Sequence, residues 1–89
     1  MTNEKSYAII GLGRFGMPLA KKLAEAGKEV IGIDRDEDRV KELREYTEYA
    51  FVSQTLTKDV LEEVGVQNCD VVIVCIGERI EVSILTTLN

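Results

Sequence analysis

The stretch Tyr7-Ala8-Ile9-Ile10-Gly11-Leu12-Gly13-Arg14-Phe15-Gly16 decides the fold. An apolar run of strand length leads into three glycines spaced G-x-G-x-x-G, and a segment with helical spacing follows. In that setting the spacing reads as a phosphate-binding turn. Gly11 lets the strand turn sharply, Gly13 lets the backbone approach a pyrophosphate, and Gly16 lets the helix pack closely on the strand. The amide hydrogens and the positive dipole end of that helix then favour phosphate. A second landmark is Asp34, which closes the run Glu29-Val30-Ile31-Gly32-Ile33 about 20 residues beyond the loop, where a carboxylate accepts bonds from ribose hydroxyls. Together the two landmarks point to an adenine-nucleotide site. Asp34 has a second reading as the N-cap of the next helix, a task that Asp36 can also take.

Outward from the loop, the chain alternates strands with helices. The first helix is expected from about Arg14 to Ala26, with Phe15, Leu19 and Leu23 as an apolar stripe, Pro18 tolerated near its start and Gly27 as a left-handed cap. A second strand covers Glu29–Asp34, and a helix from about Glu37 to Tyr46 turns Val40 and Leu43 inward. Ala50–Ser53 reads as a short third strand. Thr57 caps a third helix, stapled by Leu56 and Leu61, which buries Val60, Leu61 and Val64 and ends at Gly65. Val71–Ile76 is apolar at every position, as expected of a strand covered on both faces and paired in parallel. Gly77 breaks it, and Ile80, Ile84 and Leu88 suggest a fourth helix reaching the last residues.

Such alternation implies an α/β fold with right-handed crossovers: a Rossmann-like, doubly wound parallel sheet, truncated, with strand order 3-2-1-4. The first and fourth strands then flank the point where the winding reverses. The glycine loop and Gly77-Glu78-Arg79 meet at the crevice there. A complete dinucleotide fold continues with two more strands. Residues 1–89 therefore read as one nucleotide-binding domain that is a fragment of a longer domain, or one that dimerises through its C-terminal helix.

Composition agrees with a soluble globular chain: 89 residues, 45% apolar and 30% charged, with a net charge of −5. The acidic balance, with no basic stripe and no tryptophan, argues against nucleic acid as a partner. No run is long enough to cross a bilayer, and no signal peptide is visible because Met1 to Lys5 leads straight into the first strand. Cys69 and Cys75 lie about 20 Å apart along an extended chain, which disfavours a bridge between them. With no histidine, no nucleophile–base pair and no metal-ligand cluster, neither catalytic nor metal residues are expected. The acids Glu37, Asp38, Glu42, Glu45, Asp59, Glu62 and Glu63 read as solvated helix faces, and Tyr7, Tyr46 and Tyr49 as packing residues.

The wording Ile10-Gly-Leu-Gly-Arg-Phe-Gly16, with Asp34, Val72-Ile-Val-Cys-Ile-Gly77 and Ser83-Ile-Leu-Thr-Thr-Leu88, resembles the amino-terminal part of the KTN/RCK domains. These are regulatory domains of TrkA- and KtrA-type potassium uptake systems and of some potassium channels. The resemblance implies a non-enzymatic cytoplasmic regulator that binds NAD(H) or ATP/ADP. It also implies assembly as a dimer, and often a ring, beneath a membrane-embedded potassium transporter, with the nucleotide gating ion flow. Carried onto this chain, it makes Gly11, Gly13 and Gly16 the phosphate turn, with Arg14 and Phe15 in the same loop and Arg14 placing its charge over the phosphates. Asp34 would hold the ribose, with Arg35 at the ribose and adenine end and Ser53, Gln54 and Thr55 along the adenine edge. Here the chain departs from the family, which resembles Asp/Asn-Ala-Thr after the third strand, and the base edge that Gln54 reads stays open. Gly77 and Arg79 complete the site from the far side of the crevice, although Glu78 and Arg79 also read as a charged helix start. Arg35 hints at a 2′-phosphate, which the Asp34 carboxylate would repel. The alternatives are the cofactor-binding half of an NAD-dependent oxidoreductase and a structural remnant that binds nothing tightly.

Overall fold

The computed structural model describes residues 5–84. Strand β1 (Ser6–Ile10) lies at the centre of a five-stranded sheet. Helix α1 (Gly16–Glu25) leads to β2 (Glu29–Asp34), α2 (Glu37–Leu43) to β3 (Ala50–Val52), and α3 (Lys58–Glu63) with a 3-10 turn (Val66–Asn68) to β4 (Val71–Ile76). Strand β5 (Arg79–Ile84) completes the order β3-β2-β1-β4-β5. The first four strands are parallel, and their order is the one expected from the alternation of elements. The architecture is a truncated Rossmann-like α/β sheet.

Both faces of the central strands are covered, which explains their unbroken apolar sequences. Ile9, Val30, Val71, Ile73 and Cys75 pack with Met17, Ala20, Val40 and Leu43 from α1 and α2. On the opposite face Ala8, Ile10, Ile33 and Val72 meet Val66 and Cys69, backed by Val60, Leu61 and Val64. Ile9, Leu12, Ile33, Leu43, Val30 and Val40 are fully buried, each worth about 1.5–3 kcal/mol of removal from water. Gly32 allows α2 its close seat on β2, since a Cβ there would stand 2.2 Å from the buried Leu43 Cδ2.

Local chemistry sets the element ends. Gly27, at φ +83°, ends α1 in a Schellman turn: its amide donates to Ala24 O at 3.0 Å and the Lys28 amide to Leu23 O at 3.0 Å. Asp36 caps α2 through a 2.8 Å bond from the Asp38 amide, and Thr57 caps α3 through a bond from the Val60 amide. Helix α2 stops at Leu43, short of the expected Tyr46. The Arg44–Thr47 turn then lets the Thr47 hydroxyl donate to Val30 O at 2.8 Å. The apolar residues of α3 are half-buried rather than buried, because a short helix covers only part of its face of the sheet. Phe15 leaves the expected stripe altogether: it precedes α1 and is 43% exposed.

The expected fourth helix is a strand. Ile76 and Arg79 pair across a two-residue turn, with Gly77 at φ +65° in its first position, and β5 runs antiparallel to β4. A hairpin turn with glycine first matches the right-handed twist of its strands. Ile80 and Ile84 fit a helical repeat, but Ile80, Val82 and Ile84 also fit a period of two. Pairing with β4 supplies the segment with hydrogen bonds that an isolated helix turn would lack. The same helix was the expected dimer surface, so from Ile80 to Ile84 that surface is strand instead; its last residue, Leu88, lies outside the described residues.

Candidate functional site

The carboxyl ends of β1, β2 and β4 open into a crevice of about 400 Å³, lined in part by Gly11, Gly13, Arg14, Phe15, Asp34, Arg35 and Gly77. It forms where β1 continues into the glycine turn. Gly11 adopts φ +99° and its amide donates to Ile33 O at 2.8 Å. A Cβ at Gly11 would stand 2.1 Å from Cys75 O, and one at Gly16 would stand 1.9 Å from Gly11 O. These two glycines are required by the protein's own backbone. Gly13 is different. Its φ is not positive, and a Cβ there would meet only Arg39 Nη1, at an ordinary 3.8 Å. Among the described residues nothing requires a glycine at position 13, and the space it leaves faces the crevice.

The helix beyond the loop adds to this contrast. Helices α2 and α3 carry side-chain caps and an acid in the first turn. Helix α1 has neither: Phe15 occupies the N-cap position and makes no side-chain cap bond. The positive end of α1 therefore faces the crevice with no acid in its own first turn to balance it.

Asp34 is buried, with 8% of its surface exposed, and both carboxylate oxygens are engaged. Oδ2 accepts from the Leu12 amide at 2.6 Å and Oδ1 from the Asp36 amide at 2.8 Å. The residue thus ties the glycine loop to the β2–α2 turn. The capping task falls to Asp36, so the second reading of Asp34 lapses. A carboxylate offers about four lone-pair positions, so two backbone donors leave it able to accept ribose hydroxyls. Arg35 lies on the exposed rim. The side chains of Arg14 and Arg35 make no ion pair or hydrogen bond among the described residues.

Ser53, Gln54 and Thr55 follow β3 beside the crevice, outside its lining. The Ser53 amide donates to Asp34 O at 3.0 Å, and Gln54 Nε2 donates to Arg35 O at 3.1 Å. The Ser53 hydroxyl donates to Thr55 O at 2.6 Å. These bonds hold the β3 loop against the end of β2. Gly16 sits beneath the loop. Arg79, expected at a helix start, opens β5, is not among the residues that line the crevice and lies 3.5 Å from Glu81. Leu56, Cys75, Ile76 and Arg39 also line the crevice, and the sequence reading did not place them there. For Arg39 a signal was present: it stands three residues after the capping Asp36, on the helix turn that opens toward Asp34. Burial raises the pKa of the Cys75 thiol above its usual value, and both cysteines are free. Among the described residues no group of three or more His, Cys, Asp or Glu could hold a metal, and no helix is long and apolar enough to cross a membrane.

With this geometry in place, comparison with known proteins identifies relatives. The family model of the TrkA-N domain matches residues 7–89. The Ktr system potassium uptake protein C of Bacillus subtilis is 47% identical over 85 residues, 96% of this chain and 38% of that protein. The Ktr system potassium uptake protein A of Vibrio alginolyticus is 38% identical over 87 residues, 98% of this chain and 40% of that protein. A UDP-N-acetyl-D-mannosamine dehydrogenase of Methanocaldococcus jannaschii matches at 51% over 41 residues, 46% of this chain and 10% of that protein. The chain spans about two-fifths of the length of the Ktr relatives it matches.

Proposed function

The chain belongs to the TrkA-N domain family, a regulatory and non-catalytic type, and from that premise we propose that it is the nucleotide-sensing module of a potassium uptake system. It binds NAD(H) or ATP/ADP in the crevice above the glycine loop. It acts in the cytoplasm, as a dimer or ring, against a membrane-embedded potassium transporter subunit. Occupancy by one nucleotide or another changes the shape of the assembly and so the flow of ions.

The observation that carries the ligand assignment is Gly13. Gly11 and Gly16 are glycines because the chain's own backbone crowds them, whereas Gly13 has room for a side chain and lacks one. A bare backbone aimed into a crevice, beside an uncapped helix start, is suited to a phosphate that must come within hydrogen-bond distance. Arg14 adds a guanidinium whose fork matches phosphate oxygens. On the other wall Asp34 is held rigid by two amides where a ribose would lie.

The test is calorimetric titration with ADP, ATP and NADH. Wild-type protein binds, and Gly13→Ala, whose new methyl group meets only an ordinary contact, stays folded and weakens binding about tenfold or more, ~1.4 kcal/mol. A folded Gly13→Ala protein with undiminished affinity would show that the loop is not the phosphate site.

The dehydrogenase match favours a second reading, the cofactor half of an oxidoreductase. It covers under half of the chain, whereas the Ktr matches cover nearly all of it. Ligand range separates the two readings: a regulator takes ATP or ADP comparably with NADH, and an oxidoreductase half requires the nicotinamide dinucleotide.

A further inference from the structure

The crevice lining carries three arginines, Arg14, Arg35 and Arg39, against one acid, Asp34, in a chain whose net charge is −5. Arg39 stands in the first turn of α2, and its placement is unusual. Its Nη1 lies 4.0 Å from Asp34 Oδ2 and its Nε lies 3.8 Å from Asp36 Oδ2. Both contacts are long, and the Arg39 side chain makes no hydrogen bond among the described residues. The carboxylates beside it also accept backbone amides, Asp34 from Leu12 and Asp36, and Asp36 from Asp38 through its other oxygen. The half-exposed guanidinium is therefore held by charge at long range, and its N–H donors have no protein acceptor among the described residues. The same Nη1 stands 3.8 Å from the point where a Gly13 side chain would begin.

A phosphate drawn onto the bare backbone at Gly13 would lie next to that group. We propose that Arg39 is a nucleotide-binding residue that donates to the phosphate chain of the ligand over Gly13, with Asp34 and Asp36 as the supports that hold it there when the crevice is empty. The assignment rests on the nucleotide reading above and adds to it a cation from α2, opposite the one that Arg14 supplies from the loop. It also accounts for the acid at the ribose end of an anion site. With Arg39 beside it, Asp34 presents hydrogen-bond acceptors to the sugar while its charge toward the phosphates is offset.

The experiment compares ADP with adenosine, which shares the base and sugar but carries no phosphate. Calorimetric titrations are run on the wild-type protein, Arg39→Gln and Arg39→Lys, with circular dichroism confirming that each is folded. A single charge-assisted bond at a half-exposed site corresponds to about a tenfold change. Arg39→Gln is expected to weaken ADP about tenfold and adenosine less than about twofold, with Arg39→Lys in between for ADP. The ADP affinity of Arg39→Gln should also fall less steeply with added salt. Equal weakening of both ligands would make Arg39 only a support for Asp34 and would overturn the proposal, as would unchanged ADP affinity in a wild type that binds. A wild-type protein that takes up neither ligand would overturn the nucleotide reading and this assignment with it, and that failure is read from the wild-type titration alone.

Discussion

Replacing Asp34 with alanine tests whether the crevice acid is a structural tie as well as a ligand group. The side chain accepts the Leu12 amide at 2.6 Å and the Asp36 amide at 2.8 Å. Leu12 is 1% exposed, so its amide has no water to turn to once the carboxylate is gone, and an orphaned buried donor costs about 1–3 kcal/mol. Asp36 is exposed, so water replaces most of its bond and the loss there is about 0.5–1 kcal/mol. The Arg39 contact is half-exposed and long, and its loss adds little. The total is about 1.5–4 kcal/mol, a large part of the stability of a chain this small. In urea unfolding followed by circular dichroism, with a slope of about 1 kcal/mol per molar, the midpoint should fall by about 1.5 M or more. Asp34→Asn keeps one acceptor oxygen and should lie between alanine and wild type. A midpoint shift below about 0.5 M for Asp34→Ala would refute the tie. The consequence for testing the proposed function is direct: a loss of affinity in Asp34→Ala would mix a loosened loop with the proposed ribose contact, and Asp34→Asn is the cleaner probe.

Gly16→Ala should behave unlike Gly13→Ala, because its Cβ would stand 1.9 Å from the Gly11 carbonyl oxygen and the loop must move. A cost of about 2–3 kcal/mol lowers the melting temperature by roughly 10 °C or more, and a thermal melt within a few degrees of wild type would contradict the packing argument. Burial raises both thiols, Cys69 and Cys75, above their usual range, so the folded chain holds protons that the unfolded chain releases as pH rises. Stability from this source is whole below the ordinary thiol pKa and is lost as pH climbs through the raised values. At pH 8 Ellman's reagent should react slowly with native protein and fully after unfolding in guanidinium. Rapid reaction of both thiols in the native state would contradict their burial.

Most of the fold was legible because its signals are local. Strands β2 and β4 fall at the expected residues, since unbroken apolar runs bounded by glycine and charge have few other solutions. Asp36, Thr57 and Gly27 end their helices as expected because capping is chemistry between near neighbours. The segment after Gly77 misled because its apolar residues satisfy two periods at once, and only the free edge of β4 decides between them. Phe15 misled for a related reason: its spacing from Leu19 and Leu23 is helical, but the backbone at that point is still the loop.

The sequence by itself determined the alternation of strand and helix, the parallel sheet that follows from it, and the glycine loop with an acid on the next strand. All of these depend on residue type and short-range spacing. Only the tertiary structure decided which glycines the chain's own backbone crowds and which it leaves with room, that Asp34 is bound to Leu12 across 22 residues of chain, and that Arg39 comes to stand beside Gly13. Those facts depend on how closely two elements approach through a shared core, and that distance is set by side chains far away along the chain.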